Sequence, residues 1–191
     1  MRSGILTSLL PSRPTWDETR IEMARVIARR SLCSRDRVGA IIVDFENKII
    51  GEGYNGPPRL FNHGNLPCDL WCSRVQSRAC DCGFPGEGGL LFKDKHLSNC
   101  AAYATSTRKT DYSDCPSLHA EANALMMSAR SLRVGGIMYV TSHPCFPCAK
   151  LIANSGLMGL YVHTDEAHEY RNDPAVYKFL TDLEILVRIV Q

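Results

Sequence analysis

The chain has 191 residues, 45% of them hydrophobic, and a net charge of +2, enough for one domain with a sizeable core. The near balance of charge gives no sign of a nucleic-acid-binding face, and no apolar run approaches the ~20 residues of a membrane span. Pro11, Ser12 and Arg13 interrupt the apolar residues that follow Arg2, so no secretory signal is expected. Nine cysteines is a high count. An odd number in C-x-x-C and C-x-C spacings, without a signal sequence, favours metal ligands in a reducing, cytoplasmic compartment over disulfides.

Residues 1–12 read as a loose leader. Thr15 and Glu18 then form a T-x-x-E capping box. Behind it Ile21, Ala24, Ile27, Ala28 and Leu32 recur at helical spacing, which predicts an amphipathic helix over 15–31. Val38–Asp44 and Lys48–Tyr54 are β-branched, apolar runs around Phe45-Glu46-Asn47, and predict a hairpin. The second run ends in Gly53-Tyr54-Asn55-Gly56-Pro57-Pro58, where ordinary turn chemistry alone accounts for an Asn between glycines. A Cys-rich insertion at about 57–118 shows no long periodic pattern and would need staples. Good helix formers predict a helix from about 119 to 130, followed by a strand over 136–141. A helix over 145–155 stops at Gly156, a strand covers 157–163, Asp173 or Asn172 caps a helix with Pro174 near its first position, and a strand over 184–190 closes the chain. Strands alternating with helices in this second half imply parallel strands covered on both faces. The domain expected is a single α/β unit over 1–191: a three-layer α/β/α sandwich.

Two short runs carry the chemistry. His119-Ala120-Glu121 is followed, 24 residues after the Glu, by Pro144-Cys145-Phe146-Pro147-Cys148 at its first Cys. One His and two Cys can fill three tetrahedral positions on zinc and leave the fourth to water. Cys145 and Cys148 are i, i+3 in a first helical turn, where the helix dipole favours thiolates. Zinc lowers the pKa of a bound water from about 16 to about 7, and Glu121 is placed to move protons on and off it. A closed structural zinc normally has four protein ligands; here the pair of runs offers no fourth, and a Glu stands in the catalytic place.

H-x-E…P-C-x-x-C is the known signature of zinc-dependent nucleobase deaminases. With it, Cys33-Ser34-Arg35-Asp36-Arg37-Val38-Gly39-Ala40, Gly53-Tyr54-Asn55-Gly56, the run from Cys145 through Gly156, and Tyr170-Arg171-Asn172-Asp173-Pro174 resemble the deoxycytidylate (dCMP) deaminases of phages and bacteria, within the cytidine deaminase superfamily. The resemblance covers most of residues 15–191 and is weakest in the insertion. It implies the cytidine deaminase-like fold, a mixed five-stranded sheet between helices, and hydrolysis of dCMP to dUMP and ammonia in a cytoplasm (the host's, if phage-encoded), feeding thymidylate synthesis. It places hydroxide attack at C4, with Glu121 shuttling protons. Asn55 would contact the sugar, Ala120 would line the base site, and the His143 carbonyl would accept from the leaving amino group. Tyr170 would pack on the nucleotide, and Arg35 and Arg171 would bind its 5′-phosphate; on residues alone, Arg35 is one of a basic cluster at a helix C-terminus and Tyr170 and Arg171 are ordinary surface residues.

The resemblance also implies a second, structural zinc on Cys33, Cys68, Cys72 and Cys115, against buried free thiols as the plainer reading. Cys80, Cys82 and Cys100 lie outside that pattern; with His96 they would make a further metal site. It implies a homohexamer regulated by dCTP and dTTP bound with Mg²⁺ near the Gly-Tyr-Asn-Gly turn. No nucleic-acid or membrane partner is expected. Two alternatives stay open: a deaminase of another base or nucleotide (5-substituted dCMP, dCTP, cytidine, guanine, or adenosine in tRNA), and an inactive zinc module. Glu121 separates the last from the rest, because a staple has no use for it.

Overall fold

A computed structural model describes residues 13–33, 36–58, 117–164 and 171–190. The first helix, α1 (Trp16–Ala28), starts where the capping box predicts: Glu18 N–H donates to Thr15 Oγ1 at 3.2 Å, and Thr15 N–H donates back to Glu18 Oε2 at 2.7 Å. It ends three residues earlier than its periodicity suggests, because Arg29 and Arg30 already form a turn. The hairpin of β1 (Gly39–Val43) and β2 (Ile49–Tyr54) turns at Asn47, whose φ of 62° is a left-handed value that Asn tolerates. Asp44 Oδ1 accepts from Glu46 N–H and Lys48 N–H inside that turn.

After the insertion come α2 (Ala120–Met127), a single-turn α3 (Arg130–Arg133) and β3 (Ile137–Val140). The predicted helix over 119–130 is thus two: Ser128 leaves the helical region with ψ 141°, and its Oγ donates back to the Ala124 carbonyl. The chain continues through α4 (Phe146–Ala153), β4 (Gly159–His163), α5 (Pro174–Asp182) and β5 (Leu186–Val190). Asp173, not Asn172, caps α5, accepting from Ala175 N–H at 2.9 Å. Gly156 follows α4 with φ 92°, the conformation its glycine anticipates. The Cys-rich insertion lies almost wholly outside the described residues, as do Arg35, Cys68, Cys72, Cys80, Cys82, His96, Cys100, Cys115 and Tyr170.

The five strands make one mixed sheet in the order β2-β1-β3-β4-β5. β1 is antiparallel to both neighbours, and β3, β4 and β5 are mutually parallel, as the helix–strand alternation predicts. Alternation along the strands splits the core into two layers. Ile41, Val43, Tyr139 and Tyr161 face Ile21 and Ala24 of α1. Ala40, Ile42, Met138, Val140, Leu160 and Val162 face α2, α4 and α5 through Ala124, Ile152, Val176 and Leu180. The sheet therefore has helices on both faces, the three layers expected.

Register decides what the loops can reach. Gly39 pairs with Tyr54, Ala40 with Val140, and Val140 with Val162. The start of β1 and the ends of β2, β3 and β4 thus share one edge of the sheet. Residues 36–38, Asn55, 141–145 and 171–173 all leave the sheet there.

Candidate metal centre and its surroundings

Helix N-cap positions favour Ser, Thr, Asp and Asn, whose side chains accept from the first free N–H groups. His119 caps α2 and Cys145 caps α4, and neither side chain makes a capping bond. The two side chains meet instead. Cys145 Sγ lies 3.4 Å and Cys148 Sγ 3.3 Å from His119 Nδ1. The three donor atoms all fall within 4.8 Å of one another, the one such His/Cys/acid group among the described residues.

This donor set fits zinc. With Zn–N and Zn–S bonds of usual length at a tetrahedral angle, N and S sit about 3.6 Å apart. The two N···S separations are within 0.3 Å of that, so His119, Cys145 and Cys148 need little adjustment to hold the ion. The site is half-buried at His119 and Cys145 and buried at Cys148. Two helix N-termini point their positive ends at it, which favours the anionic thiolates.

Titration of the group is already polarised. The hydrogen bond from Cys148, aided by His119, takes the Cys145 thiol down to about 4 against the opposing effect of burial. The same contact, with burial, pushes Cys148 up. His119 is raised, first by its hydrogen bond to Cys145 and further by Glu121. Glu121, in the first turn of α2, is only 4% exposed. Burial foremost lifts its carboxyl above the usual range, so it holds a proton more readily than a surface Glu.

The other expected residues gather around this centre unevenly. Ala120 is fully buried where α2 meets β2. His143 is buried, and its Nδ1 contacts the Tyr177 hydroxyl of α5, the two rings meeting edge-on with centroids 5.8 Å apart. That contact braces the turn that carries Pro144 and Cys145. The Asn55 side chain binds backbone: Nδ2 donates to the Asp36 carbonyl at 2.9 Å, and Oδ1 accepts from Val38 N–H at 2.8 Å. Arg171 Nη1 lies 2.5 Å from Asp36 Oδ2 and donates to Ser142 Oγ at 3.2 Å. It is near enough to His119 for its charge to oppose the imidazolium. Cys33 is a half-buried thiol whose N–H donates to Ser31 Oγ at 3.2 Å.

Asp36, Ser142 and Tyr177 carry no motif of their own, and sequence reasoning does not single them out. The one available signal for Asp36 is that it is an acid between Arg35 and Arg37. Ser142 stands inside the T-S-H-P-C run, and Tyr177 is one of two aromatics in α5.

Comparison with known proteins points the same way. A family described as the cytidine and deoxycytidylate deaminase zinc-binding region matches residues 14–164. A deoxycytidylate deaminase of Mycobacterium phage D29 is 37% identical over 146 residues, covering 76% of this chain and 92% of the relative. Another, of Enterobacteria phage T2, is 33% identical over 160 residues, covering 74% and 76%. Among solved structures, the dCMP deaminase of cyanophage S-TIM5 in apo form superposes with a TM-score of 0.59 at 23% identity, over 94% of this chain and all of the other. That likeness shows the fold: the mixed sheet and its covering helices are shared.

Proposed function

The chain belongs to the family of cytidine and deoxycytidylate deaminases with a zinc-binding region, and from this we propose that it hydrolyses dCMP to dUMP and ammonia. The observation that carries the reading is the meeting of two uncapped helix N-caps, His119 and Cys145, with Cys148 and a buried Glu121 beside them. His119 Nδ1, Cys145 Sγ and Cys148 Sγ would hold zinc, which when bound would acidify a water toward neutrality. Glu121 takes a proton from the attacking water and gives it to the ring nitrogen N3, then takes the second proton from the new C4 hydroxyl and gives it to the amino group as it leaves. Carbon C4 exchanges its bond to nitrogen for one to oxygen, and the amino group departs as ammonia. The His143 carbonyl accepts from that amino group before it leaves. Burial of Glu121 serves the step, since raising the carboxylate's affinity for a proton makes it a better base toward the water before it hands that proton on.

The nucleotide runs from this centre toward the sheet edge. Asn55 faces the sugar, Ala120 lines the base site, and Arg171, with Arg35, meets the 5′-phosphate; Tyr170 packs on the nucleotide. The same reading holds Cys33, Cys68, Cys72 and Cys115 on a structural zinc that braces the insertion, within one domain. It extends to dCTP and dTTP as effectors with Mg²⁺, a homohexamer, and a cytoplasmic place in pyrimidine nucleotide synthesis. Among the described residues no helix is long and apolar enough to cross a membrane.

A spectrophotometric panel of dCMP, dCTP, cytidine and deoxycytidine, with and without dCTP or dTTP as effector, tests this. dCMP is expected to be turned over best. Equal turnover of deoxycytidine and dCMP would remove the phosphate-recognition claim, and no turnover by zinc-loaded enzyme would leave only an inactive zinc module.

A further inference from the structure

The mechanism above leaves one half-buried acid without a task. Asp36 lies at the sheet edge beside the metal centre, its side chain 10% exposed. An acid there is unfavourable for a site that takes a phosphate dianion, since like charges repel at short range. Its bonds suggest why it is present. The Asp36 carbonyl accepts from Asn55 Nδ2, and its carboxylate holds Arg171 Nη1. One residue thus ties together the group proposed to face the sugar and the group proposed to face the phosphate. Both sides of the tie are themselves anchored. Asn55 N–H donates to the Val38 carbonyl at 3.1 Å, and the Asn55 carbonyl accepts from Ser31 Oγ at 2.7 Å. Arg171 Nη1 also donates to Ser142 Oγ, on a residue only 3% exposed and two before Pro144.

A guanidinium is planar, so fixing one terminal nitrogen between an ion-pair partner, Asp36 Oδ2, and a hydrogen-bond acceptor, Ser142 Oγ, restricts the direction of its whole fork. Bidentate pairing with phosphate depends on that direction. We propose that Asp36 is a positioning residue that sets the Arg171 fork relative to Asn55, and so makes the site select a nucleotide over a nucleoside. The inference rests on the phosphate role given to Arg171 under the proposed function. Asp36 acts here through Asn55 and Arg171.

Three variants test it, each checked first for solubility and thermal midpoint. Asp36→Asn keeps an acceptor but removes the charge that orients the fork. It is expected to lower kcat/KM for dCMP by about 10-fold or more, mainly through KM, while deoxycytidine changes by less than about 2-fold. Calorimetric binding to the zinc-loaded enzyme should weaken about 10-fold for dUMP and stay level for deoxyuridine. Because removing one partner of a partly buried pair can destabilise a protein, Asp36→Glu serves as the second variant. It keeps the charge, shifts the fork by one methylene, and should show the same selective loss. An equal fall for nucleotide and nucleoside, or no change in either, overturns the proposal. Arg171→Gln separates the two levels of the argument. If it spares the preference for dCMP, the phosphate reading of Arg171 fails. If it abolishes the preference while both Asp36 variants keep it, only the role of Asp36 fails.

Discussion

Gly53→Ala tests whether the metal centre depends on how closely α2 sits on the sheet. A Cβ at Gly53 would lie 2.4 Å from the Ala120 carbonyl oxygen and 2.4 Å from Ala124 N. Both are backbone atoms of α2, and no side chain can swing aside. An ordinary contact requires α2 to retreat by about 1 Å, a shift that carries His119 and Glu121 with it. Overpacking of this kind costs about 3 kcal/mol at the upper end of its usual range. For a chain of this size that lowers the thermal midpoint by roughly 6–12 °C. The catalytic loss should be larger than the stability loss suggests, because a misplacement of about 1 Å costs on the order of 100-fold in rate. Scanning calorimetry, zinc content after dialysis and dCMP turnover would be measured together. Gly56→Ala is the control: its nearest neighbours are Tyr54 ring atoms, at 3.3 and 3.6 Å, so stability should change by no more than about 0.5 kcal/mol. A Gly53→Ala protein with the wild-type midpoint and full activity would refute the claim that the Ala120–Met127 helix is seated by backbone contact with β2.

Glu121→Ala should retain zinc, since Glu121 is not among the donor atoms, and lose about 100- to 10,000-fold in turnover; substantial remaining activity would sink the proton-transfer role. Tyr139→Phe removes the hydroxyl that donates to Asp17 at 2.7 Å and should cost about 1 kcal/mol in denaturant unfolding at neutral pH. Burial first, then Asp17, raises the Tyr139 pKa above its ordinary value. The fold thus favours the protonated form, and this stability is complete below about pH 10 and lost as pH climbs through the raised value; the Phe variant should lack that alkaline component. Thr15→Ala should cost about 1 kcal/mol through loss of the cap. Its backbone and side-chain bonds to Thr15 lower Glu18, so in wild type the contribution is present above the ordinary Glu pKa and fades as pH falls through the depressed value. Metal analysis of the wild type should give two zinc ions per chain, on the structural-zinc reading of Cys33 and its partners; one would reject that site.

Elements with local chemistry are legible before any coordinates. The Thr15–Glu18 box and the Asp173-Pro174 start of α5 each depend on residues within a few positions of one another, and the His/Cys/Cys set, though split between two runs 26 residues apart, is legible because each run is a short local motif of a known signature; each is found where the sequence places it. Relations set by sheet register are not legible in this way. Asp36 and Arg171 are 135 positions apart in the chain, and their pairing follows from the placement of β1, β3 and β4, not from either residue's neighbours. The same holds for His143 and Tyr177. The break at Ser128 is also hidden, because Met126 and Met127 continue a favourable helical composition up to it. Asn55 shows a subtler limit. Its place between glycines points to a turn, and the structure adds that its amide binds the backbone on both sides of Arg37.

The metal centre is built by giving up ordinary helix starts. A good N-cap contributes about 1 kcal/mol, and α2 and α4 both forgo it at His119 and Cys145. Those side chains are turned toward each other, so the first turns of both helices depend on what the ligands hold. A metal bound there stabilises the fold by linkage as well as serving the reaction. Such a site can occur only where two helix N-termini arrive at the same edge of the sheet. β3 leads into α4 at that edge, and α2 reaches it through its packing on β2, which runs antiparallel to β1. The Arg171 segment arrives there too, through β4. Its contact with Ser142, at the end of β3, places Arg171 at that same edge.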